Sequence, residues 1–256
     1  MAINYGFYWL ILEWIIFALM IGPLPIFFFS KYKSDKKAGI ESSASFNLSY
    51  VLFFLTTAIN QLIYIIDAEN LYSSTLGVDP ILNAGIKNTI LIEFTLKSQI
   101  TIMLCLFFIS FAFIMNPIET FLRKSEKKPI TILLLVGAVV SGAIWTIFCL
   151  LLIPQPLEMI LLQIIIALIL LTAVFALLIS VIAFFYFYLK VAISSTGSVR
   201  KKALTVSFGI FFMYFALIGG NLTRPDVRGN PLELIGPIAL LIGLLVLLYG
   251  FKIESA

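Results

Sequence analysis

Glu93 and Lys97 are spaced i, i+4 with the acid first, the favourable order for an ion pair on one face of a helix. Lys97 is the one lysine placed within a hydrophobic span, roughly 12 Å from the start of its helix at the usual rise per residue. Charge at that depth in a bilayer is costly and ordinarily faces a bundle interior, a cavity or a partner. Glu13 falls at a comparable depth in the first apolar run, and Asn60, Gln61, Gln99 and Gln163 fall toward the same side. Together these side chains can line a polar pocket for a small ligand, an ion or a proton. The alternative is a self-neutralised pair that orients helices and binds nothing, and the spacing leaves both readings open. Glu13 tips the balance toward a site, because a single acid on an apolar helix needs a partner of its own.

The elements that must position these residues follow from composition. Apolar residues make up 61% of the 256 and charged residues 12%, against roughly 25% charged in soluble domains. The mean hydropathy is +1.10. Crossing a hydrocarbon core takes about 20 apolar residues, and seven uncharged runs meet that requirement. The expectation is an all-α integral membrane protein, a seven-transmembrane-helix bundle forming one domain over 1–256. Its helices are expected at about 7–29, 45–66, 89–115, 130–152, 157–189, 203–220 and 234–251. Pro23 and Pro25 predict a kink near the end of the first. The fifth has 31 uncharged residues between Glu158 and Lys190, which would extend roughly 46 Å as helix and so must tilt or project. Its end, Phe184-Phe185-Tyr186-Phe187-Tyr188, reads as an interfacial aromatic belt.

Orientation follows from lysine and arginine. Three alternate loops carry Lys31, Lys33, Lys36 and Lys37; Arg123, Lys124, Lys127 and Lys128; and Lys190, Arg200, Lys201 and Lys202. The opposite loops carry only Lys87, Arg224 and Arg228. The positive-inside rule places the amino terminus outside and the carboxyl terminus, beyond Lys252, in the cytoplasm. The first lysine comes after the first apolar run, the reverse of a cleavable signal peptide. Asn221-Leu222-Thr223 matches a glycosylation acceptor on the expected outer face.

The chain contains no histidine. That removes histidine-ligated haem, zinc and copper, and any Ser/His or Cys/His nucleophile pair. Cys105 and Cys149 both fall inside apolar spans and read as small packing residues. No metal site, cofactor or catalytic constellation is expected, and the chain is not read as an enzyme. The basic residues flank apolar runs, so the net charge of +4 points to the membrane surface and not to nucleic acid. The expected partners are the lipid bilayer and, through the basic inner loops, a cytoplasmic or membrane protein.

A retinal protein requires a lysine within the seventh helix, and Leu234 to Phe251 holds none. The basic start Ser198-Val199-Arg200-Lys201-Lys202-Ala203-Leu204, with Gly209 following, resembles the seven-transmembrane sensor region of prokaryotic histidine kinases and receptors. That resemblance implies a multi-pass cell-membrane receptor-like protein acting in signal transduction. No kinase-sized segment follows the last helix, so it implies signalling through a separate partner. Two other classes fit the same residues: a structural subunit of a membrane complex, and a proton- or ion-coupled transporter working through Glu13, Glu93 and Lys97.

Overall fold

The computed structural model describes residues 5–76, 95–122, 127–151, 160–220 and 234–252, with side chains over 8–66, 102–121, 127–143, 178–216 and 234–252 and at 171 and 175. Every element among them is helical: α1 (Tyr5–Ile21), α2 (Pro23–Lys37), α3 (Glu41–Leu76), α4 (Thr95–Pro117), a π-helical turn (Ile118–Leu122), α5 (Pro129–Leu151), α6 (Ile160–Ser194), α7 (Gly197–Gly220) and α8 (Ile235–Lys252). Four stretches among the described residues are long and apolar enough to cross a membrane: Tyr8–Lys37, Glu41–Ile66, Ile102–Phe121 and Ile235–Lys252. Pro129–Ala143 and Leu178–Ser194 are shorter apolar helices.

The helix ends differ from the hydropathy reading in one consistent way. Lys31 to Lys37, expected as a loop, forms the last two turns of α2, and Arg200 to Lys202 lies inside α7. Lysine and arginine are good helix formers, so backbone pairing continues where apolar character stops. The helix expected over 45–66 likewise runs on to Leu76. The kink expected at Pro23 and Pro25 is a break at Gly22. Its carbonyl accepts from Ile26 N at 3.2 Å, with Pro23 taking the first helical position, where no N–H is required. Residues 89–94, expected as the start of the third helix, lie outside the described residues.

The chain divides into two compact units. One comprises Met1–Leu19, Ile65–Ala84 and Val181–Ala256, the other Met20–Tyr64 and Gly85–Ser180. In the second unit α2 turns into α3 through Gly39, whose φ of +73° suits a residue without a Cβ. The Ile40 and Gly39 amides return to the Asp35 and Lys36 carbonyls at 3.0 and 3.3 Å, the Schellman pattern that satisfies the last carbonyls of α2. The buried face of α3 repeats every three or four residues through Asn47, Tyr50, Val51, Phe54, Thr57, Ala58, Gln61 and Tyr64. Phe28 of α2 stacks on Tyr50 and Phe54 at 4.6 and 5.7 Å, and Phe53 meets Phe111 of α4 edge-on at 6.0 Å. Such ring pairs contribute roughly 0.5–1.5 kcal/mol each beyond their burial. They carry much of the packing where lipid tails weaken the usual hydrophobic drive.

In the first unit α7 and α8 touch backbone to backbone. A Cβ added to Gly243 would sit 2.6 Å from Met213 N and 3.0 Å from Gly209 O; one on Gly209 would sit 2.7 Å from Leu247 N. Small residues at such crossings let membrane helices approach closely. Phe184 packs edge-on against Tyr214 of α7 at 6.3 Å, and both are buried. The expected aromatic belt is therefore divided: Phe184 belongs to the core, while Tyr186 is 61% exposed.

Candidate functional site

The sequence-predicted residues are placed as follows. Glu93 lies outside the described residues, and so do the side chains of Lys97, Gln99 and Gln163, whose backbones stand in the first turns of α4 and α6. Glu13 is buried in α1, in register with Trp9, Ile16 and Met20. Asn60 and Gln61 are buried together on the inward face of α3, and Glu13 belongs to the other unit.

The structure adds Thr57 to this set. It lies one turn before Asn60 and Gln61 and is 2% exposed. Thr57 Oγ1 and Asn60 Oδ1 are both buried without a hydrogen-bond partner. On a membrane helix a threonine ordinarily satisfies itself by donating to the carbonyl four residues back. Thr56 does so, to Leu52 O at 2.8 Å, and Ser110 donates to Phe107 O at the same distance. Thr57 departs from the habit of its neighbour. Each orphaned group costs about 1–3 kcal/mol relative to a paired one. Two oxygens one turn apart, near the end of an apolar span, are free to accept from a hydrogen-bond donor or to face a cation. Asn60 lies about 28 Å along α3 from Glu41, taking 19 residues at the helical rise. Asn60 and Gln61 are conspicuous as amides in an apolar span, whereas Thr57 reads from sequence as an ordinary helix residue. Ser207 Oγ is a third unpaired buried atom, and it stands in α7 of the other unit.

Toward the opposite end of the second unit, Asp35 and Glu119 are both committed to internal bonds. Asp35 Oδ2 accepts from Ser43 Oγ at 2.6 Å and from Asn47 Nδ2 at 2.7 Å. Glu119 is fully buried. Its Oε1 accepts from Ile130 N at 3.1 Å, and its Oε2 accepts from Thr131 N at 2.9 Å and Thr131 Oγ1 at 2.8 Å.

The need for Glu119 is written at the start of α5. Lys128 occupies the N-cap position, its carbonyl accepting from Ile132 N at 3.0 Å, and a lysine has no acceptor to offer the first turn. Pro129 has no amide proton, so the orphan donors are those of Ile130 and Thr131. Glu119 takes both, and its charge sits at the positive end of the helix dipole. Pro117 sets the register that brings it there. Without an N–H it leaves the ladder short of one bond, and the next five residues wind as a π-helical turn. Thr120 Oγ1 donates to Asn116 O at 2.7 Å, and Lys128 Nζ donates to Asn116 Oδ1 at 2.9 Å, closing the α4–α5 connection.

No family model, curated protein or solved structure matches the chain. Among the described residues no three histidine, cysteine, aspartate or glutamate side chains converge on a metal-sized site. The acids at Asp35 and Glu119 are occupied in holding helices. Among the described residues, two of the three unpaired buried side-chain oxygens lie one turn apart on α3.

Proposed function

We propose that this chain is a multi-pass cell-membrane protein of the sensor or receptor-like class. In this reading a polar site lies in the outer half of the bundle, and a separate partner carries the signal. The single observation in its favour is the pair of unpartnered buried oxygens on Thr57 and Asn60, beside Gln61, on the inward face of a membrane-length helix. A purely structural subunit has no use for acceptors that its own helices leave empty, since an apolar pair would hold the helix as well at lower cost. The outward orientation of this end follows from the lysine distribution, which puts Lys31 to Lys37 and Lys127 to Lys128 on the cytoplasmic side.

The test is thermal unfolding of the purified full chain in bilayer nanodiscs, as wild type and as Asn60→Leu. The panel comprises monovalent cations, amino acids, amines and sugars. A solute at a hundred times its Kd stabilises by about 2.7 kcal/mol. Stabilisation of the wild type that is absent in Asn60→Leu supports a site. An Asn60→Leu chain more stable than wild type, with no solute acting on either, identifies an idle polar group and refutes the reading. Ion flux from liposomes that stops in Asn60→Leu would move the protein to the transporter class.

A further inference from the structure

The strongest unassigned surface is the outward face of α2. Its inward face is fixed at both ends. Leu24 and Phe28 are fully buried, Phe28 against Tyr50 and Phe54, and Asp35 is bonded to Ser43 and Asn47. The opposite face follows by helical geometry: Ile26 (70% exposed), Phe29 (41% exposed), then the exposed Lys33, Lys36 and Lys37. Spacings of three, four and three residues make this one continuous stripe, apolar above and basic below. Ile26 and Lys36 are about 15 Å apart along the axis.

Two details leave the lysines of the basic part available to an anion. Asp35 is the one acid in α2, and its bonds to α3 turn it away from the stripe, so no carboxylate of this helix neutralises the lysines. Lys33 and Lys36 are each drawn over a ring one turn back, Phe29 at 4.6 Å and Tyr32 at 5.6 Å. Lys36 Nζ also donates to Tyr32 Oη at 3.3 Å. Lys31 lies similarly over Phe27, at 4.9 Å. A lysine held against a ring loses less rotamer freedom on binding and still presents donors on its other side.

We infer that the Ile26–Phe29–Lys33–Lys36–Lys37 stripe of α2 is a binding site for an anionic phospholipid, with the headgroup phosphate on the lysines and an acyl chain along Ile26 and Phe29. The occupant needs both parts. A free phosphate compound would leave the apolar half uncovered, and a neutral lipid would leave the lysines without a counter-charge. The inference rests on the membrane placement of α1 and α2 and is independent of the proposed sensor role.

The test places the full chain in phosphatidylcholine bilayers containing a few per cent of phosphatidylglycerol with a photoreactive diazirine on its acyl chain. Adducts are mapped by mass spectrometry. Adducts at Ile26 and Phe29 should be enriched over those from diazirine-labelled phosphatidylcholine, by about fivefold for each lysine engaged. Enrichment should weaken with salt. It should fall to the phosphatidylcholine level in Lys33→Gln/Lys36→Gln/Lys37→Gln, and partway in Lys33→Gln and Lys36→Gln singly, should the triple variant fail to insert. Equal labelling by both lipids in the wild type identifies ordinary boundary lipid and overturns the inference. So does enrichment that survives the triple change, or that glycerol phosphate abolishes by competition. Absence of adducts from either lipid would instead show that α2 does not lie in the bilayer.

Discussion

Replacing Glu119 with alanine is expected to release the start of α5. The change removes three accepted bonds and leaves two backbone donors, the part-buried Ile130 N and the buried Thr131 N, without a partner. Each orphaned donor costs about 1–3 kcal/mol, and loss of an N-cap by itself costs about 0.5–2 kcal/mol. Because the two amides share one carboxylate, these costs overlap. Relief from burying a charge also offsets part of the loss. The expected destabilisation is about 2–4 kcal/mol. Glutamine keeps one acceptor oxygen but turns an NH2 group toward an amide donor, so Glu119→Gln should lose about half as much.

The assay is reversible unfolding in mixed micelles, with hydrogen exchange at Ile130 and Thr131 as the local readout. Those two amides should lose protection in Glu119→Ala under conditions where the centre of α3 keeps it. Glu41→Gln, at the exposed start of α3, serves as the control and should stay within about 0.5 kcal/mol of wild type. If Glu119→Ala also stays within that limit, or its two amides remain protected, the clamp does not hold α5 and the account of the π-helical turn fails with it.

Gly243→Ala places a Cβ 2.6 Å from a backbone nitrogen of α7 and should cost about 1–3 kcal/mol or more in thermal unfolding. Gly142→Ala, where the new Cβ meets only Cys105 Sγ at 3.5 Å, should be neutral or stabilising by up to about 1 kcal/mol. Single cysteines at Lys33, Lys124 and Lys201 in a Cys105- and Cys149-free chain should react with a membrane-impermeant maleimide only after the cells are opened. Reaction of any one in intact cells would overturn the orientation there. Lys97→Met should lower the melting temperature, and Glu93→Gln/Lys97→Met should recover much of the loss if the two form a buried pair. An additive double change would show that they do not meet.

The helical class, and four membrane-length apolar spans among the described residues, were legible because hydrophobic run length reports directly on what a chain can bury in hydrocarbon. Helix ends were less legible. Lys31 to Lys37 looks like a loop in hydropathy, yet a lysine-rich segment winds as readily as an apolar one, and only Gly39 with its positive φ stops it. The break at Gly22 had a visible cause in Pro23 and Pro25, and the π-helical turn had one in Pro117. The consequence of Pro117, a glutamate rotated to cap another helix, needed the three-dimensional register.

The candidate site divides along the same line. Asn60 and Gln61 stood out because amides are conspicuous in an apolar span, and the structure buries both. Thr57 was hidden because threonine in a membrane helix usually bonds to its own backbone, and nothing in the residue type separates Thr56, which does, from Thr57, which does not. Glu119 was hidden for the opposite reason: beside Arg123, Lys124, Lys127 and Lys128 it reads as one more charge in a solvated loop. All are buried, and hydrogen bonding distinguishes their roles. The carboxylate is fully bonded and holds two helices in place. The threonine and asparagine oxygens are unbonded, and an unmet acceptor inside a membrane helix is where a ligand gains most by binding.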